Sequence, residues 1–217
     1  PEFEFEQKDF LQAQMLDFGE SPQTVFFDAD QDGDADLIVA NRGMLQPDGI
    51  TFVANCWLLL NEGTEEAPEY KITEEDYLGL KSLGLIDLKP QITDLNNDGQ
   101  QDLYFSARKP TESSSTIFYL LNQATDGALE VDLNELQQFD QSLSVLGEPH
   151  FIDTDADGDL DLLVGNLNGS LEHYENTGNY AFDLVNGSLG GIGFNTLKRE
   201  LSIDVADLAG DGQPDLI

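Results

Sequence analysis

The stretch Asp153-Thr154-Asp155-Ala156-Asp157-Gly158-Asp159-Leu160-Asp161, followed at once by Leu162-Leu163-Val164, decides how this chain is to be read. Side-chain oxygens at loop positions 1, 3, 5 and 9 can converge on one hard cation. The glycine at position 6 permits the φ > 0 bend that wraps a loop around it. Position 7, Asp159, is placed to offer its backbone carbonyl. Carboxylates crowded this closely repel one another unless a positive charge sits among them. Oxygen-only ligands in a flexible loop favour calcium over zinc or copper.

The pattern recurs three times. Asp28, Asp30, Asp32, Asp34 and Asp36, with Gly33, form one copy and lead into Leu37-Ile38-Val39. Asp94, Asn96, Asp98, Gln100 and Asp102, with Gly99, form another and lead into Leu103-Tyr104-Phe105. Asp207, Asp211, Gln213 and Asp215 form the last, leading into Leu216-Ile217; Ala209 at its position 3 removes one ligand and predicts weaker binding. The first aspartates, Asp28, Asp94, Asp153 and Asp207, stand 66, 59 and 54 residues apart, a near-regular period that signals a repeat architecture. An EF-hand is excluded, because position 12 would be glutamate and is instead Val39, Phe105 and Val164. The β-branched and aromatic residues there read as a strand, so each loop joins two strands of a hairpin.

On these residues the chain resembles the FG-GAP and VCBS repeats of β-propellers, and the segment 153–177 is especially similar to the secreted bacterial form. The resemblance implies an all-β fold, a β-propeller of four-stranded antiparallel blades with a calcium ion in the hairpin loop between the first and second strands of each. It does not imply one function. Residues 1–20 are expected to end a preceding blade, because Pro1–Leu11 matches Pro68–Leu78 at a constant offset. Complete blades are expected at 21–80, 81–143 and 144–194, with 195–217 beginning another, so the chain reads as three full blades and two partial ones of a longer propeller. The rest of that propeller would be its first partner.

Within the first complete unit, strands are predicted near 24–27, 36–40, 52–60 and 69–72. In the second they are predicted near 91–93, 103–106, 116–121 and 129–133, with a possible helical turn at 135–139. In the third, Asn168-Gly169 signals a tight hairpin. It and Asn186-Gly187 also begin glycosylation sequons, which turn chemistry explains better.

A net charge of −34, from 43 acidic and nine basic residues, argues against nucleic acid and anionic membrane surfaces. Sixteen of the acidic residues lie in the four loops, where calcium would offset part of their charge. No apolar run is long enough for direct membrane insertion. The single cysteine, Cys56, beside Trp57 and Leu58, reads as a small buried apolar residue. Catalysis has little support: His150, expected before a first strand, and His173, in a third strand, are paired with no nucleophile in the sequence, and no hydrolase motif occurs.

The expected function is therefore a non-catalytic, calcium-stabilised, extracellular module that binds protein or glycan at a cell surface. The alternative is a carbohydrate-binding or polysaccharide-cleaving propeller whose active parts lie outside this segment. Seven basic residues are expected on the face opposite the calcium loops. Arg42 and Arg108, each six residues after a loop's last aspartate, should lie side by side and, with Lys109, contact an acidic or polar partner.

Overall fold

The computed structural model describes residues 17–64, 67–194, 201–206 and 215–217. The matching segment 1–11 lies outside them, as do Asp207, Asp211 and Gln213 of the fourth loop.

The first sheet holds β1 (Gln23–Phe27), β2 (Asp36–Ala40), β5 (Cys56–Asn61) and β6 (Tyr70–Glu74) as an antiparallel meander, with a short hairpin of β3 (Met44–Leu45) and β4 (Phe52–Val53) projecting between β2 and β5. The second holds β7 (Ile86–Thr93), β8 (Asp102–Arg108), β9 (Ser114–Leu120) and β10 (Gln137–Ser144). The third holds β11 (Glu148–Ile152), β12 (Asp161–Gly165), β13 (Leu171–Asn176) and β14 (Phe182–Asn186). β15 (Val205–Ala206) and β16 (Asp215–Leu216) pair as the start of a fourth. The described residues form no closed ring of sheets.

Period-two alternation explains why the central strands are apolar throughout. Ile38 and Ala40 of β2 face Leu103, Phe105 and Ala107 of β8 in one core. The intervening Tyr104 of β8 turns the other way and meets Phe151, Leu162 and Val164 of the third sheet. Tyr104 and Phe151 meet edge to face at 4.9 Å between ring centres, a favoured aromatic geometry. Leu163 in turn packs on Leu171 and Ile203 toward the fourth unit. The second sheet is thus covered on both faces by its neighbours, while the outer face of the first, with Val39, Trp57 and Leu59, packs on Phe18, Met44, Tyr70 and Ile72. Cys56 lies in the first core, where burial pushes its thiol up to about 12.

Two strand expectations need correction. The run 52–60 is split: Phe52 and Val53 pair with Met44 and Leu45, and only Cys56–Asn61 continues the sheet. The fourth strand of the second unit is 137–144, not 129–133. Asn122 holds the preceding segment in a turn, its Nδ2 donating to Ala128 O and its Oδ1 accepting from Glu130 N, while Leu129, Val131 and Leu133 pack into the first core. A register irregularity between Gln138 and Ser142 blurs the alternation that marks the true strand. The helical turn expected at 135–139 lies earlier, as a 3₁₀ segment at Leu133–Glu135 capped by Asp132, and 137–139 already belong to β10. His150 lies within β11, not before it. Asn168-Gly169 makes the expected turn, with Gly169 N donating to Asn166 O.

Candidate metal centres

The three complete loops fold alike. Position 4 is left-handed in each, with φ of 63° at Gln31, 59° at Asn97 and 64° at Ala156. Position 6 is Gly33, Gly99 and Gly158, with φ of 96°, 90° and 97°. An added Cβ would meet nothing within 4 Å at these glycines, so backbone conformation alone selects them. The first aspartate reaches across each loop: Gly33 N donates to Asp28 Oδ2, Gly99 N to Asp94 Oδ2 and Gly158 N to Asp153 Oδ2, at 3.2, 2.8 and 3.1 Å. Position 5 side chains accept from the amide of position 7: Asp32 from Asp34, Asp98 from Gln100 and Asp157 from Asp159.

Carboxylates converge in two of these loops. Oxygens of Asp28, Asp30 and Asp36 lie within 4.8 Å of one another, as do those of Asp153, Asp155 and Asp157. In the second loop Asn96 replaces a carboxylate and its Nδ2 donates to Asp98 Oδ2 at 2.8 Å. The fit to a hard cation is best in the first loop, where Asp28 Oδ1 is buried without a hydrogen-bond partner. An ionised oxygen withdrawn from water in this way needs a positive charge or a proton. The Asp30 carboxyl is held above its ordinary range, by desolvation first and then by the charges of Asp32, Asp36 and Asp28. These donors could hold calcium, which would supply the missing positive charge.

Position 9 has a second task. Asp36, Asp102 and Asp161 are buried at 1%, 0% and 3% exposure. One oxygen of each accepts from the amide of position 2: Ala29, Leu95 and Thr154. The other accepts from an asparagine amide at the end of the third strand: Asn61, Asn122 and Asn176, at 2.8, 2.7 and 2.9 Å. That asparagine's own Oδ1 then organises the loop to the fourth strand, accepting from Gly63 N, Ala124 N and Gly178 N. The metal loop and the loop between strands three and four are therefore tied together at one end of each sheet. The asparagines were missed in the sequence, yet their signal is there: Asn-Glu-Gly, Asn-Gln-Ala and Asn-Thr-Gly follow the three third strands.

Burial raises the Asp102 carboxyl, which its two backbone donors only partly counter. Asp102→Asn keeps one acceptor and turns an amide N–H against a buried N–H. It should cost about 2 kcal/mol by denaturant unfolding without calcium, and more with it, because Asp102 is also a candidate ligand. Asp98→Asn, on the exposed side of the same loop, should cost little without calcium and more with it.

Arg42 and Arg108 do lie side by side, but both are engaged. Asp87, whose side chain is fully buried, accepts from Arg108 Nε at 2.5 Å and lies 3.1 Å from Arg42 Nε, an ion pair without hydrogen-bond alignment. Arg42 also pairs with Glu20, and Arg108 donates to Glu112 O. Lys109 stays exposed in a loose pair with Glu112 at 3.7 Å. Asp87 N and Leu88 N leave their own sheet at an irregularity in β7 and donate to Arg42 O and Asn41 O. The arginines therefore join the first two sheets.

No curated protein and no solved structure gives a significant match to this chain. Residues 153–217 match the family profile described as FG-GAP-like repeat, a match that begins at the first aspartate of the third loop. Over that segment the recurring loop and the strands β12, β13 and β14 that follow it agree with the profile, and the chain carries an FG-GAP-like repeat.

Proposed function

We propose that this chain is part of a calcium-stabilised extracellular β-propeller that binds a protein partner or mediates adhesion at a cell surface, and that it does so without catalysis. The observation that carries this reading is the repeated loop, built the same way three times at the same end of three stacked sheets, with a buried oxygen of Asp28 that calls for a cation. The sheets supply a rigid scaffold and the loops between strands supply surface, the usual division of labour in binding modules. Calcium is abundant enough outside cells to fill sites of the modest affinity such exposed loops have. The large negative charge suits a soluble surface module. No helix among the described residues is long and apolar enough to cross a membrane.

The non-catalytic reading is supported by how His173 sits. Thr154 Oγ1 lies 3.0 Å from His173 Nε2, and Asp161 Oδ2 lies 3.7 Å from the same nitrogen. A nucleophile–histidine–carboxylate relay needs the carboxylate on the other ring nitrogen, so this trio does not form one. The carbohydrate reading stays as the second proposal, and one experiment separates the two. Labelled protein is applied to intact cells in calcium or chelator, after protease or glycosidase treatment of the cells. Binding that needs calcium and is lost on protease treatment supports the proposal. Loss on glycosidase treatment alone supports the alternative.

A further inference from the structure

Counting back from the first aspartate of each loop, the residues five and three places earlier are Gln23 and Val25, Lys89 and Gln91, Glu148 and His150, and Ser202 and Asp204. These are equivalent positions on the first strand of each successive unit, and the fold brings them to one place. All except Lys89 line a single cavity of about 590 Å³, together with Thr24 and Phe26 from the other face of β1. This lies within the volume range of small-molecule sites.

The polar groups at its wall are arranged and not merely adjacent. Glu148 is buried, with Lys89 Nζ at 3.2 Å from Oε2 and Ser202 Oγ donating to Oε1 at 3.1 Å. Lys89 Nζ also donates to Leu146 O. His150 is 6% exposed, and its Nε2 is buried with no hydrogen-bond partner, 3.6 Å from Glu148 Oε1. A buried imidazole nitrogen left unpaired beside a cavity calls for a partner inside it. Across the cavity, Phe26 is 62% exposed, a large aromatic face open to whatever enters.

We propose that this cavity binds a neutral saccharide unit. Phe26 would meet the apolar face of the sugar ring. His150 Nε2, the Gln91 amide, the Thr24 hydroxyl and Asp204 would share its hydroxyls, which both donate and accept. Among the described residues, the cations nearest the site are Lys89, held by Glu148, and Arg42, paired with Glu20 and Asp87, which leaves Asp204 as the net charge at the wall and selects against acidic sugars. The site owes nothing to the metal loops and does not rest on the protein-binding reading.

The chain has two histidines, so its imidazole NMR signals contain their own control. Titration with glucose, galactose or mannose should move the His150 signals saturably for at least one sugar and leave those of His173 in place. Phe26→Ala, a change at an exposed residue, should keep the fold and weaken that binding about tenfold. His150→Gln should weaken it while leaving the calcium dependence of melting unchanged. The proposal is overturned if no neutral sugar moves His150, if glucuronate binds as well as glucose, if Phe26→Ala has no effect, or if zinc ions alone saturate the His150 shift.

Discussion

Asp87→Asn is expected to destabilise the protein by about 3–5 kcal/mol, lowering the melting temperature by roughly 10 °C. The side chain is fully buried, its φ is 59°, and it accepts from Arg108 on one oxygen while the other faces the charge of Arg42. Asparagine tolerates the left-handed backbone and nearly matches aspartate in size, so the substitution isolates the charge. Arg108 suffers most, since its side chain is only 13% exposed, whereas Arg42 is 39% exposed and keeps Glu20. Arg108→Met should therefore cost more than Arg42→Met. Removing all three charges together should recover part of the loss, because the damage comes from a buried ion without its counter-charge and not from the missing attraction itself. Urea unfolding of the single and combined variants measures this directly. A change below about 0.5 kcal/mol for Asp87→Asn would show that water reaches the trio and that the sheets are joined by other means.

Removing calcium should have an effect of similar size. With sites of about 10⁻⁴ M affinity and about 1 mM calcium, each filled loop contributes roughly 1.4 kcal/mol, and three loops about 4 kcal/mol. Chelator should then lower the melting temperature by roughly 10 °C, and magnesium, which demands stricter geometry, should not restore it. Asp28→Asn should remove about a third of the calcium response, since its Oδ1 is the buried oxygen awaiting a cation. The sign of the pH dependence follows from Asp30, whose carboxyl lies above its ordinary value of 3.8 in the fold. A group raised in this way adds stability that is complete below the ordinary value and lost as pH rises through the folded one. Calcium-free protein should regain some stability at its Asp30 on mild acidification, and calcium should abolish the gain. Equal melting temperatures in calcium and chelator would defeat the metal reading of these loops.

Much of this could be read from local chemistry. A glycine with positive φ between alternating aspartates, followed by a β-branched run, specifies a loop and the strand after it within a dozen residues. Such signals survive in any context, so the loops, the strands near 24–27 and 36–40, and a strand after Asp161 could be read from the sequence. The repeat at Asp28, Asp94 and Asp153 then implied that equivalent residues would meet, and Arg42 and Arg108 do meet. What they meet was decided elsewhere. Asp87 stands 45 residues after Arg42, at an irregularity in its strand that the sequence does not mark, and only its burial turns two surface-looking arginines into a joint between sheets.

The same holds for the fourth strand of the second unit. Leu129, Val131 and Leu133 alternate like a strand, but Asn122 bends the chain there and the core of the first two sheets takes those side chains instead. Local propensity cannot see that competition. Position 9 looked like a ligand and nothing more. In the fold Asp36, Asp102 and Asp161 also anchor the third strand through Asn61, Asn122 and Asn176, because carboxylates buried at a sheet end must satisfy the nearest unpaired amides. His150 marks the limit of the sequence: its chemistry depends on Glu148, Lys89 and Ser202, which converge only when successive sheets stack face to face and bring their first strands together.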